Sequence, residues 1–258
     1  MSGDKNNSKQ IEFLRSIFLS ETVSTNEYAL HLSNSAPNPN TCLYTFSQTG
    51  GRGQIGRKWY SGTDKNLSTT FLWHHPPLLP QRQWLINMAF ALAVHEMAQA
   101  QLPDTKVKLK WPNDLYVEKQ KLAGILIQNT LVGKRLEATY LGVGFNVNER
   151  DFPPDLPNPT SLSLLTGRHY ELLDLQWALT TAVSNQLSNL VATLDDPESL
   201  YTRYLDLLYL KDQIGVYEVD GQKVSGIIRG VTPEGKLRLE LEEGERAFGF
   251  RELGYVRG

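Results

Sequence analysis

Apolar positions recur along the chain with two periods, and each period marks a kind of element. Near-alternation over residues 11–19 predicts an early strand. Ser24 and Glu27 fit a capping box opening a helix that runs to about Ser33. Residues 34–40, with Pro37 and Pro39, predict a loop. The β-branched and aromatic run 41–46 predicts a buried strand, and 67–73 the next. Over 83–101, Trp84, Met88, Leu92 and Met97 return near a 3.6-residue spacing, the mark of a helix, and Pro103 stops it. Strands follow at 106–111, 115–117, 122–128 and 135–147, with a turn at 118–121 before the third. Four prolines within 151–160 impose an extended loop. Short helices are expected at 161–165, 172–194 and 197–208. After Lys211 the pattern alternates like a small β unit. Its strands are 214–219, 223–231, 236–241 and 246–250, with Asp220-Gly221 as a hairpin turn and 233–235 as a second turn. So short a run of antiparallel strands suggests an SH3-like barrel, usually an interaction module.

Composition narrows the class. A chain of 258 residues, 40% of them hydrophobic, suffices for one large domain and a small one. The boundary is expected at 210/211. A net charge of −2 gives no sign of nucleic-acid binding. The single cysteine, Cys42, excludes an intrachain disulfide, and its apolar surroundings suit a buried structural thiol better than a nucleophile. No His/Cys cluster has zinc spacing. The first ten residues have no apolar signal core. No stretch approaches the ~20 apolar residues of a membrane span. A soluble, cytoplasmic protein is expected.

The candidate chemistry gathers around residues 47–59. Gly50, Gly51, Gly53 and Gly56 fall within seven residues, too many for a regular helix or strand. Arg52, Arg57 and Lys58 add fixed positive charge. A backbone rich in N–H donors and dressed with guanidinium groups suits a phosphate or a carboxylate; an exposed basic turn is the plainer reading. The loop matches neither the Walker A pattern nor the dinucleotide fingerprint. Lys110-Trp111-Pro112-Asn113-Asp114 ends a strand, where Pro112 frees Asn113 and Asp114 to face a cleft or to form an ordinary turn. Lys121 opens a strand whose small residues Ala123 and Gly124 admit a ligand close to the backbone, or it is a solvated charge. Gly142, Gly144 and Asn146 repeat that theme, with a β-bulge as the alternative. Together these residue types suit phosphoryl-group chemistry, where catalysis is neutralisation and positioning.

Five ordered stretches resemble one family. Ser24-Thr25-Asn26, residues 48–59, residues 110–114, residues 121–124 and Gly144-Phe145-Asn146 occur in the order seen in biotin–protein ligases (biotin–[acetyl-CoA-carboxylase] ligases) of the BirA type. The likeness covers nearly the whole chain. It implies an α+β fold: a class II synthetase-like catalytic domain, with a mixed sheet and helices packed mainly on one face, plus the SH3-like barrel. It implies the substrates biotin and MgATP, formation of biotinyl-5′-AMP, and transfer of biotin to a lysine of a biotin carboxyl carrier domain of acetyl-CoA carboxylase or a related carboxylase. By resemblance, Ser24, Thr25, Asn26, Gln48, Gly51, Arg52, Lys121 and Gly124 would bind biotin. Arg52, Arg57, Trp59, Lys110, Asn113, Lys121 and Asn146 would bind ATP and the adenylate, with Trp59 as an aromatic lid. Lys121, Arg52, Lys110 and Asp114 would be catalytic, Asp114 either holding Mg²⁺ or orienting the incoming lysine.

Two departures matter. Many members carry an arginine where this chain has Gln54, and a neutral amide cannot pair with a phosphate as a guanidinium does. Repressor-type members begin with a helix-turn-helix, whereas here the catalytic pattern starts by residue 11, so no DNA binding through that module is expected. The alternatives are a lipoate–protein ligase and a non-catalytic biotin-sensing module. The glycine–arginine loop and the Lys-Trp-Pro-Asn-Asp run favour biotin over lipoate, and retention of Arg52 and Lys121 argues against a sensor. The loop is expected to be an open ensemble until anions order it, and a sheet edge could dock the carrier or a second copy.

Overall fold

The structure is a computed structural model that describes residues 10–33, 39–54 and 56–256. Most of the loop expected at 34–40 lies outside the described residues. The remaining pattern folds into two sheets. In the first, β1 (Arg15–Phe18) runs parallel to β2 (Thr41–Thr45), and every later pairing is antiparallel: β2 with β3 (Leu67–His74), β3 with β7 (Arg135–Phe145), β7 with β6 (Gln120–Val132), β6 with β5 (Asp114–Val117), and β5 with β4 (Val107–Lys110). The result is a seven-stranded mixed sheet of order β1-β2-β3-β7-β6-β5-β4. The centre of this sheet is covered on both faces, so β2 is buried at every position and shows no polar alternation.

Side chains alternate across the sheet into two cores. Leu43, Leu72 and Tyr140 face Ala29 of α1 (Thr25–Ser33). Cys42, Phe71, Trp73 and Leu141 face the larger core, which holds α2 (Gln83–Gln101) and α4 (Leu172–Ala192). The helices thus pack mainly on one face, with α1 alone opposite. Because α4 covers its outer side, α2 is apolar nearly all round, whereas α4 keeps a single buried stripe through Leu175, Leu179, Val183, Leu187 and Leu190. Between the sheet and α4, burial pushes the Cys42 thiol up to about 12, with hydrogen bonds from Thr180 and Gln176 offsetting part of the shift. It is the buried structural thiol expected. The short α3 (Leu162–Thr166), capped by the Ser161 hydroxyl, and α5 (Glu198–Asp206) complete this layer.

The second sheet has the order β11-β10-β9-β8-β12, formed by β8 (Ile214–Val219), β9 (Gln222–Val231), β10 (Leu237–Leu241), β11 (Gly244–Phe248) and β12 (Leu253–Tyr255). Asp220 and Gly221 both adopt positive φ, as the hairpin requires. The fourth strand sits two residues earlier than the 246–250 pattern predicts. β12 was not legible at all, because three residues are too few to display alternation; it forms because β8 offers it a free edge.

Several contacts join the two parts, two of them through the main chain. The segment after α5 pairs with the outer edge of β4, through Leu109 N–H to Leu207 O and Tyr209 N–H to Leu109 O. The turn after β9 inserts between two tryptophans: Trp111 donates its indole N–H to Gly235 O at 2.9 Å, and Gly235 packs on the Trp84 ring.

Candidate active site

The polar residues around Ser24 are assembled by the start of α1. Ser24 Oγ meets the Glu27 amide at 3.5 Å, the long limit of a cap. Gln48 Oε1 accepts the Thr25 amide at 2.9 Å. Thr70, on β3, donates to Asn26 Oδ1, while Asn26 Nδ2 donates to Gln128 Oε1 and Leu126 O. Ser24, Thr25, Asn26 and Gln48 are all buried. Groups so fixed select ligands sharply, because a ligand lacking the right partner leaves them unpaired.

The glycine-rich loop closes over this floor. Arg52 bridges Lys58, Gly53 N–H bonds Arg57 O, and Trp59 N–H bonds Gly51 O. Its described residues form a small hairpin. The hairpin delivers Trp59 onto the sheet, where Gly124 and Gly144 lie opposite one another on β6 and β7. A Cβ on Gly124 would come within 3.0 Å of the Trp59 ring, and one on Gly144 would fall on it. The paired glycines are therefore the seat of the indole. The buried Trp59 Nε1 has no hydrogen-bond partner among the described residues.

Lys121 enters from the start of β6. Its ammonium lies 2.7 Å from Asp114 Oδ1 and 5.4 Å from the Trp59 ring centre. Both members of the ion pair are largely shielded, with side chains 29% and 18% exposed. Arg52 reaches the same cavity from the hairpin, its guanidinium 3.1 Å from Glu27 and 65% exposed. That cavity, about 420 Å³, is also lined by Ser24, Thr25, Asn26, Gln48, Arg57, Trp59, Asn113, Asp114, Gly124 and Asn146. A larger cleft of about 1200 Å³ shares the loop and β6 with it, includes Gly51, and extends to Glu234 and Lys236 of the second sheet.

Lys110 is a correction. It lines neither cavity; its ammonium sits 4.3 Å over the Tyr116 ring and 4.5 Å over Tyr255, with the Tyr116 hydroxyl at 3.2 Å. It shares a face with its cross-strand partner Asp114, but from the edge strand β4 it reaches the second sheet, where an aromatic cage holds the cation. Asn113 and Asn146 line the cavity but use amide hydrogens for bracing, Asn113 to Ile125 O and Asn146 to Thr160 O. Sequence reasoning missed the cavity wall at Phe152, Asp155 and Leu156, since prolines signal only a loop. Gly142, grouped in the sequence with Gly144 and Asn146 but given no role, lines the cavity too, and a Cβ there would fall on the Asn26 amide.

Comparison with known proteins follows the same outline. Residues 18–146 match the profile described as "Biotin/lipoate A/B protein ligase family", and 217–250 match "Biotin protein ligase C terminal domain". The bifunctional ligase/repressor BirA of Salmonella typhimurium is 30% identical over 229 residues, covering 85% of this chain and 67% of that protein. Biotin–[acetyl-CoA-carboxylase] ligase of Paracoccus denitrificans is 31% identical over 132 residues, 50% of this chain and 53% of that protein. The solved structure of the Aquifex aeolicus biotin protein ligase in complex with biotin and ATP superposes with a TM-score of 0.78 at 25% identity, covering 95% of this chain and all of the other.

Proposed function

We propose, for a chain that belongs to the biotin/lipoate A/B protein ligase family, that it is a biotin–protein ligase. It activates biotin with MgATP and passes biotin to a lysine of a biotin carboxyl carrier domain. The observation that carries this reading is the convergence of Arg52 and Lys121, from distant parts of the chain, on one cavity floored by buried amides and hydroxyls.

The biotin carboxylate attacks the α-phosphorus, the bond to the β-phosphate oxygen breaks, and pyrophosphate leaves. Two anions must first approach, and Arg52 and Lys121 lower that repulsion. The carrier amine then attacks the acyl carbon, AMP leaves, and the amine loses a proton. Lys121 serves both steps, because the carboxyl oxygen and the phosphate stay neighbours. Asp114 holds the Lys121 ammonium at 2.7 Å and so fixes where that charge sits. Among the described residues no group of three or more His, Cys, Asp or Glu could hold a metal ion. Mg²⁺ would supply neutralisation of phosphate charge, and Asp114 would either hold it or orient the incoming lysine. Carrier docking or a homodimer would use the open edge at β1, where Leu14 and Phe18 are exposed.

The test is pyrophosphate release with ATP plus biotin or lipoate, followed by mass spectrometry of a carrier domain. Release with biotin, and a biotin-sized mass gain on the carrier, is expected. Release with lipoate alone makes the protein a lipoate ligase; release with neither leaves a sensor.

A further inference from the structure

The segment 149–161 does more than connect β7 to α3. Pairing of β6 with β7 begins only at Ala123, opposite Phe145, so Lys121 lies beyond the reach of β7. The proline-rich segment takes that place. Lys121 N–H donates to Asn158 O at 2.8 Å, and Thr160 N–H donates to Lys121 O at 2.9 Å, a parallel bridge centred on Pro159. Asn146 Nδ2 secures the same stretch through Thr160 O.

The ends of the segment are pinned by Glu149, whose side chain is fully buried. Its Oε1 accepts the amides of Arg150 and Asp151 and lies 2.9 Å from Lys65 Nζ. Its main-chain carbonyl accepts the Ser161 hydroxyl. Gly62 packs so closely on Oε2 that a Cβ there would strike it, which ties the loop before β3 into the same knot. A buried carboxylate is retained against its desolvation cost only where such partners meet it.

We propose that segment 149–161 is a positioning arm for Lys121, held in place by Glu149 and Lys65. It stands in for a missing strand beside the lysine and sets where the ammonium points, while Phe152 and Leu156 wall the cavity. The arm rests on the ligase reading above, since its purpose is to place the charge used in adenylation.

The test pairs kinetics with hydrogen exchange. Glu149→Ala is expected to lower the rate constant of biotinyl-adenylate formation roughly 10- to 100-fold, the effect of a slightly misplaced catalytic group, with biotin affinity little changed. Glu149→Gln still offers an oxygen to both amides and should restore most of the rate. Exchange of the Lys121 amide, followed by NMR, should quicken in the alanine variant and not in the glutamine variant. A folded alanine variant with lower thermal stability but wild-type adenylation and wild-type Lys121 protection overturns the proposal. Should Glu149→Ala fail to fold, Asn158→Gly keeps the left-handed backbone at 158 and removes only the side-chain bond to Lys119 O. Slower adenylation in it supports the arm, and an unchanged rate refutes it. Absence of adenylation in the wild type would instead refute the ligase reading, while amide exchange still judges the arm.

Discussion

At the scale of single residues, the two cations differ in how they are held. Arg52 sits in an exposed pair with Glu27, an interaction worth under ~1 kcal/mol, so an incoming anion can take the guanidinium over. Lys121 is shielded, paired to Asp114 and clamped through its backbone. Lys121→Ala is therefore expected to slow adenylate formation by about 10²- to 10³-fold, the loss of one preorganised donor, while calorimetry still detects biotin binding. Adenylation at the wild-type rate would contradict the role. Gln54 lines both cavities and brings no charge to them. Gln54→Arg should slow release of biotinyl-AMP about tenfold or more, because a hydrogen bond to a charged partner contributes roughly 1.5–3 kcal/mol. Equal off-rates in the two proteins end that idea.

At the scale of elements, one turn helps fix the second sheet to the first. The turn closes through Gly235 N–H to Thr232 O and Thr232 N–H to Lys236 O, and Gly235 has φ +87°. Two demands converge there: a left-handed backbone, and no side chain where the Trp84 ring lies. Gly235→Ala is expected to cost about 1–2 kcal/mol in backbone strain alone, and more as Trp84 is displaced. Urea unfolding followed by tryptophan fluorescence measures it, and an unchanged midpoint would show the junction to be loose. Elements with a strong period were legible from the sequence. Helix α2 matches its expected 83–101 span, and the Asp-Gly turn lies where its dipeptide placed it. Where neighbours set the limits, the pattern fell short. The alternating run 11–19 yields only Arg15–Phe18 as strand, because only those residues pair in register with β2.

At the scale of the whole molecule, burial has a pH signature. Cys42 is pushed from 9.0 to about 12 and Tyr217 from 10.0 to about 12 by desolvation, and burial raises Tyr204 and Tyr255 as well. In the unfolded chain these groups ionise near their ordinary values, while in the folded protein they stay neutral. The unfolded state therefore loses protons first, and stability falls as pH rises from about 9 towards 12, by up to ~1.4 kcal/mol per pH unit for each group. Urea titrations between pH 8 and 11 should show this decline. Cys42→Ala should lower stability at neutral pH yet flatten the alkaline slope; a parallel decline in both proteins would remove the thiol from the account.

The sequence by itself determined which residue types could carry the chemistry and which strongly periodic segments were helix or strand. Charge type, glycine placement and apolar period are local properties that no neighbour can alter. It also ordered the stretches that match the family. Only the tertiary structure decided which cations meet. Lys110 and Lys121 both flank strands and look alike in sequence, yet strand order sets Lys110 on edge strand β4, beside tyrosines in and near the second sheet, while Lys121 on β6 enters the cavity. The proline-rich segment owes its place to the same cause. Its backbone donors and acceptors became a clamp because β7 stops short of Lys121, a fact of sheet register with no signature in the residues of the segment.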